Sequence, residues 1–325
     1  MSTTEDIINS VSCWLNYLCA IPMIVLGIIG AILTIIVFIK EPSFRRNSTV
    51  NYLLANAIMT AIHLPSIYLQ SILVDGFNLG VFNTNDAACR EHNYLLYVTT
   101  VPTILFPCWA AFDQYILTNR HATIRQRWNS MRFVRLTIIG TIIIAAIVYI
   151  PIIFISKSIN NVCTYIDSPY TTFHNYVSTP LAYAVIPLIL IVVFTYGTVK
   201  NLKAINFNNR QNRLAKQIRR MLIPQLIVLS VSGIPFGFQT VYLQYTNEME
   251  KSLVRQAIEH LFIQIIRLFY HCNFVCTFYI YLFMSSEVRK ILKRVIMKYL
   301  GKNVVSSTNG NIVTINLQTV KTSNL

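Results

Sequence analysis

Few side chains in this 325-residue chain are placed to do chemistry, and each sits in or beside a long apolar run. Asp113-Gln114-Tyr115 sets a carboxylate, an amide and a phenol in a row, directly after an apolar stretch from Tyr94 to Phe112 whose only ionisable groups are tyrosines and a cysteine. Arg267 is a cation inside a second such run, EHLFIQIIRLFYHCNFVCTFYIYLF, with Tyr270 and His271 close behind it. Ionisable groups within apolar spans mark functional sites, because burying a charge there is costly. Hydrogen bonding and charge recognition are within reach of these groups. Catalysis is not, since no HExxH, no paired catalytic carboxylates and no nucleophile with a base at useful spacing occur. The residues therefore point away from an enzyme, and no metal or cofactor is expected.

The elements that hold these groups must be membrane helices. Hydrophobic residues make up 54% of the chain and charged ones 12%, against roughly 25% charge in a soluble domain. As a helix, the stretch from Cys89 to Asp113 spans roughly 36 Å, more than the ~30 Å hydrocarbon core of a bilayer. The two residues then lie at opposite faces. Arg120, Arg125, Arg127, Arg132 and Arg135 follow the triplet, and this basic loop marks the Asp113 side as cytoplasmic by the positive-inside rule. Cys89 is then outside, where a disulfide can form.

Seven spans are expected, at about 18–39, 50–73, 92–117, 133–156, 178–201, 221–244 and 260–283. Of the 27 Lys and Arg, 22 fall in 40–50, 119–135, 200–220 and 289 to the end, and the acids on that side are Glu41, Asp113 and Glu287 alone. That side carries about +19 and the rest about −4, so topology accounts for the net charge of +15 and no nucleic-acid partner is expected. Alternating basic and non-basic loops fit a multi-pass protein with an extracellular N-terminus. The opening MSTTEDIINS is acidic, which makes the first apolar run a retained span and not a signal peptide.

Taken in order, the chain divides into an extracellular N-terminus (1–17), a seven-helix bundle (18–285), an amphipathic cytoplasmic helix (286–300) and a disordered cytoplasmic tail (301–325). Gly27 and Gly30 in span one have a small-residue spacing that permits close helix approach. Asn47-Ser48-Thr49 is a glycosylation sequon on the cytoplasmic side and is discounted. Span two carries His63, read as an interhelical donor, and Pro65, which kinks its outer half. Cys163 lies in the outer loop after span four, so a disulfide with Cys89 would pin that loop over the mouth of the bundle. Cys19, Cys108, Cys272 and Cys276 read as packing residues, and Cys13 has no obvious partner. Pro187, Pro224 and Pro235 bend long helices, which leaves a cavity and lets them move as levers. The spacing of Leu214, Ile218 and Met221 predicts that the sixth helix starts before the membrane. After Ser286, Val288, Ile291, Leu292, Val295, Ile296 and Leu300 interleave with basic residues, the pattern of a helix lying on anionic lipid.

These landmarks resemble the rhodopsin-like (class A) G-protein-coupled receptors over residues 18 to 300. Asp113-Gln114-Tyr115 stands where the family has Asp-Arg-Tyr, and Thr277-Phe278-Tyr279-Ile280-Tyr281 where it has Asn-Pro-x-x-Tyr. Pro187 and Pro235 match its span-five and span-six prolines, and Val288-Arg289 its Phe-Arg. The TFYIY end and Arg127-Trp128 look most similar to an invertebrate branch that includes FMRFamide-receptor-like orphans. The resemblance implies an all-α seven-transmembrane bundle with an eighth helix, in the plasma membrane, coupling through outward movement of helix six. Asp113, Gln114, Tyr115, Pro235 and Tyr281 take the activation and G-protein-coupling positions. Departures accompany the matches: Gln114 replaces the family's Arg, and Ala31, Ala61 and Thr277 replace its inner polar cluster, so no carboxylate remains there for sodium. Ser232-Gly233-Ile234-Pro235 replaces Cys-Trp-x-Pro, and Tyr196 lies one residue past the expected span-five Tyr.

The family's amine receptors carry an Asp where this chain has Leu96, and its opsins a Lys where it has His271, so the resemblance points away from monoamines and retinal. An outer cavity lined by Arg267, Tyr97, Tyr94, Tyr270 and His271 suits a ligand with a carboxylate or amide carbonyl and aromatic side chains, and a short neuropeptide is expected. The implied partners are that extracellular ligand, a heterotrimeric G protein and membrane lipids. The alternative is a non-signalling decoy or chemosensory seven-helix protein. A transporter is the further alternative, weakened because one half shows no repeat of the other and few charges lie inside the spans.

Overall fold

The computed structural model describes residues 4–300 except 71, 74–76, 78–79, 120, 160–161, 204–210 and 247–248. The tail expected at 301–325 lies outside them. Among the described residues seven helices are long and apolar enough to cross a membrane: Thr4–Lys40, Ser48–Tyr68, Asp86–Leu117, Met131–Ile155, Pro169–Leu202, Lys216–Tyr245 and Leu253–Met284. They are spans one to seven below. With the helix Ser286–Tyr299 they form the expected all-α bundle.

Spans one, three, five and seven begin earlier than the hydropathy predicts, and all at the end of the bundle that holds the Cys89–Cys163 disulfide. The cause is capping and packing, which apolar runs do not mark. Asn85, Ser168 and Ser252 accept from the backbone N–H of Ala87 (2.8 Å), Thr171 (3.1 Å) and Arg255 (3.3 Å), each satisfying a donor that the helix itself leaves open. In span one, Ser12 and Asn16 are buried, and the Ser12 hydroxyl lies 3.3 Å from His260 Nδ1 at the start of span seven. The helix therefore continues back to Thr4 through a π-helical turn at Asn16–Ala20. The helix of span six begins at Gln211, ahead of the apolar run expected at 221–244.

Close approach organises the middle of the bundle. A Cβ on Gly27 would meet Leu64 Cδ1 at 2.5 Å, and one on Gly30 would meet Phe278 Cβ at 3.0 Å. Span one thus closes on spans two and seven. Span five is irregular, with π-helical turns at His174–Ser178 and Leu181–Val185 on either side of Pro180 and ahead of Pro187. Prolines donate no backbone hydrogen bond, so such turns re-register the ladder around them.

Two structures seal the ends. At the disulfide end, strands β1 (Ser156–Ile159) and β2 (Val162–Tyr165) pair antiparallel, with Ser158 opposite Cys163. The sequence reading treats this segment only as a loop. At the basic end, Ser285 caps the final helix, and Arg289 Nη1 donates to Leu282 O (2.9 Å) and Phe283 O (2.7 Å), carbonyls that the end of span seven leaves open. That helix buries Val288 and Ile291 and ties back to span one through Arg294 and Glu41 at 3.0 Å. Cys13 forms no disulfide.

Candidate functional site

At the disulfide end the spans enclose a cavity of about 350 Å³, lined by Tyr97, Gln239, Arg267, Tyr270 and His271 among others. Span three brings Tyr97, span six Gln239, and the last three share one face of span seven. The hairpin reaches in from above: Tyr165 OH donates to Tyr97 OH at 3.0 Å. Burial and the adjacent Tyr97 hydroxyl hold the Tyr165 phenol well above its ordinary range, so it stays a neutral donor. The hairpin is held by the disulfide, by Asn93 Nδ2 on Ser156 Oγ (3.2 Å) and by Asp86 Oδ1 accepting from Ser158 N (2.8 Å).

The polar lining is incompletely satisfied. Gln239 Oε1, Tyr270 OH and His271 Nδ1 are buried and have no hydrogen-bond partner among the described residues. Buried polar atoms are rarely left so, and all three belong to residues that line the cavity. Arg267 donates to Gln264 Oε1, which holds its guanidinium beside the cavity. Tyr270 stacks on Phe236 at 4.4 Å, supplying an aromatic wall. Below, His63 Nδ1 lies 2.8 Å from Thr99 Oγ1, whose own hydrogen goes to Leu95 O at 2.7 Å. His63 thus makes the interhelical contact to span three that the sequence reading expects.

Tyr94 is not brought to this cavity. Three residues before Tyr97, it is turned about 60° around the helix, and its hydroxyl donates to Ala146 O of span four at 3.1 Å.

The Asp113 end is a buried hydrogen-bond cluster. Asp113 Oδ2 accepts from Ser48 Oγ at 2.7 Å and from Thr49 Oγ1, and Gln114 Nε2 donates to Thr49 Oγ1 at 2.7 Å. Both side chains of the pair are almost wholly buried, and Gln114 Oε1 has no partner among the described residues. Gln114 also borders a cavity of about 80 Å³ that Arg219 of span six lines from the other side. Tyr115 lies flat against span five: a Cβ on Gly197 would sit 2.7 Å from its ring. Tyr281 OH donates to Gln225 Oε1 at 2.6 Å, joining span seven to span six.

A family model described as 7 transmembrane receptor (rhodopsin family) matches residues 30–281. The chain belongs to that family. The receptor is accordingly a multi-pass membrane protein that takes an extracellular ligand and signals through G proteins. Comparison with curated proteins finds no match.

In this receptor the residues singled out from the sequence fall into two groups. Arg267, Tyr97, Tyr270 and His271 meet at the cavity, while Asp113, Gln114, Tyr115 and Tyr281 lie at the opposite end. Pro235 sits between, inside the span-six helix, and lines a separate groove and not that cavity. Sequence reasoning missed Gln225, Gln239, Arg219 and above all Ser48 and Thr49, which it met only as a discounted sequon. The signal was a polar pair at the start of span two, facing the one carboxylate of span three's basic end.

Proposed function

We propose that the receptor answers a short neuropeptide, with its N-terminus and disulfide end outside the plasma membrane, and engages a heterotrimeric G protein at its basic end. The unsatisfied polar lining of the cavity carries this reading. Arg267 suits a carboxylate or amide carbonyl, Gln239 Oε1 suits a backbone N–H, and the rings of Tyr97, Tyr270 and Phe236 suit an aromatic side chain. A volume of about 350 Å³ is at the small end of the roughly 300–1,000 Å³ of ligand pockets. It takes one end of a peptide, and the rest lies along the hairpin.

Agonist binding shifts a two-state bundle in which span six pivots at Pro235 and swings outward. The Tyr281–Gln225 bond then breaks, and the gap between Gln114 and Arg219 widens into a cleft for the G protein. Asp113 and Tyr115 anchor span three while this happens.

The test is G-protein activation by a peptide library, read by a proximity reporter in cells whose surface receptor is counted through an N-terminal tag. A hit is expected whose potency Arg267→Ala lowers by about tenfold or more at equal surface expression, the loss of one charge-assisted contact. Unchanged potency removes Arg267 from the site. Silence across all G-protein classes, from receptor at the surface, replaces this reading with the non-signalling decoy.

A further inference from the structure

A second cavity, of about 540 Å³, opens between spans six and seven on the side away from the bundle axis. Phe238 and Phe262 form its rims and are 75% and 58% exposed, so they stand out where lipid would be. Ile258 and Ile266 lie along its length, Pro235 closes its deep end, and Arg255, Glu259 and Tyr242 mark its outer end. From Arg255 to Ile266 the helix rises roughly 16 Å. That matches the ~15 Å depth of one leaflet, half of a ~30 Å hydrocarbon core.

At the outer end the groove is lined by one cation and one carboxylate, Arg255 and Glu259. Glu259 is held by Lys251 at 2.5 Å and by Arg255 Nε at 3.0 Å, two cations on one carboxylate. Lys251 and Glu259 are tucked in, with side chains 13% and 12% exposed, whereas Arg255 is 43% exposed. Arg255 Nη2 donates to Tyr242 OH at 3.3 Å, and its Nη1 has no partner among the described residues. A half-exposed guanidinium thus stands at the outer end of an apolar slot about as long as one leaflet is deep.

We propose that this groove binds one outer-leaflet glycerophospholipid, with its phosphate on Arg255 Nη1 and an acyl chain lying between Phe238 and Phe262 down to Pro235. The orientation is the one proposed above, but no agonist and no G protein enters the argument. Gln239 and Leu243 line both this groove and the ligand cavity, so the lipid forms the outer wall of the partition between them.

The experiment uses the full chain, purified in detergent, with lipid retention read by native mass spectrometry. Dioleoyl-phosphatidylcholine is compared with dioleoylglycerol, which has the same chains and no phosphate. One phosphatidylcholine per receptor is expected at concentrations where diacylglycerol is lost. Arg255→Ala is expected to lower that retention about tenfold, the worth of a hydrogen bond to a charged group. Ile258→Trp, which fills the slot and leaves the charges in place, is expected to do the same and covers the case that Arg255→Ala does not fold. A photoactivatable phosphatidylcholine should label the Phe238 and Phe262 peptides. Equal retention of both lipids, retention unchanged in both variants, or labelling spread over all seven spans would overturn the proposal. So would a cross-linked dimer joined through those two peptides, which assigns the groove to a second copy of the chain. Each of these outcomes leaves the peptide reading standing, because none involves the agonist.

Discussion

At the scale of single residues, the Asp113 end holds a buried carboxylate on neutral hydroxyl donors. Ser48 and Thr49 supply the hydrogens that Asp113 accepts, and Thr49 in turn accepts from Gln114. Thr49→Val keeps the shape and removes both contacts. Leaving a buried polar group unpaired costs about 1–3 kcal/mol, so the detergent-solubilised variant should aggregate at a lower temperature in a thermal-shift assay. Gln114→Arg places a guanidinium directly after the carboxylate. A charge-assisted bond is roughly twice as strong as a neutral one, so the resting arrangement tightens and basal G-protein output should fall, measured with the same reporter at equal surface expression. Identical basal output would remove Gln114 from the coupling site. Asp113, Gln114 and Tyr115 were legible in the sequence because they are contiguous and end an apolar run. Ser48 and Thr49 were not, because their partner lies far along the chain and neither is unusual beside its own neighbours.

At the scale of elements, the hairpin decides what the cavity is. Its two strands are four residues each, too short for a strand pattern to register, and its shape comes from contacts to span three: the disulfide, Asn93, Asp86 and Tyr97. Cys163→Ser frees it. Closing a chain segment of 74 residues with a disulfide stabilises by about 4 kcal/mol in the loop-entropy account, so a clear fall in melting temperature is expected, together with loss of agonist potency. Unaltered potency at the surface would mean that the hairpin does not shape the ligand site. Tyr94 was misjudged for a related reason. The sequence places it one turn outward of Tyr97 on the same helix, but only the arrangement of the neighbouring spans shows that its 60° offset faces span four.

At the scale of the whole molecule, the charge division of about +19 on one side and −4 on the other, counted over all 325 residues, sets an orientation. An N-terminal tag should be reached by antibody on intact cells and a C-terminal tag only after permeabilisation, and the reverse pattern would invert every assignment of outer and inner made here. The seven spans and the helix that follows them come from features that act locally or along one helix: apolar length, loop charge, amphipathic spacing. These can be read off the chain segment by segment, since a bilayer tests each one separately for length and polarity. Tertiary structure alone decided which polar atoms meet, from the Ser48–Asp113 and Tyr281–Gln225 bonds to the unpaired Gln239, Tyr270 and His271. Those outcomes depend on the rotation and close approach of helices distant in the chain, set by side-chain packing at contacts such as Gly30 on Phe278 and Gly197 on Tyr115.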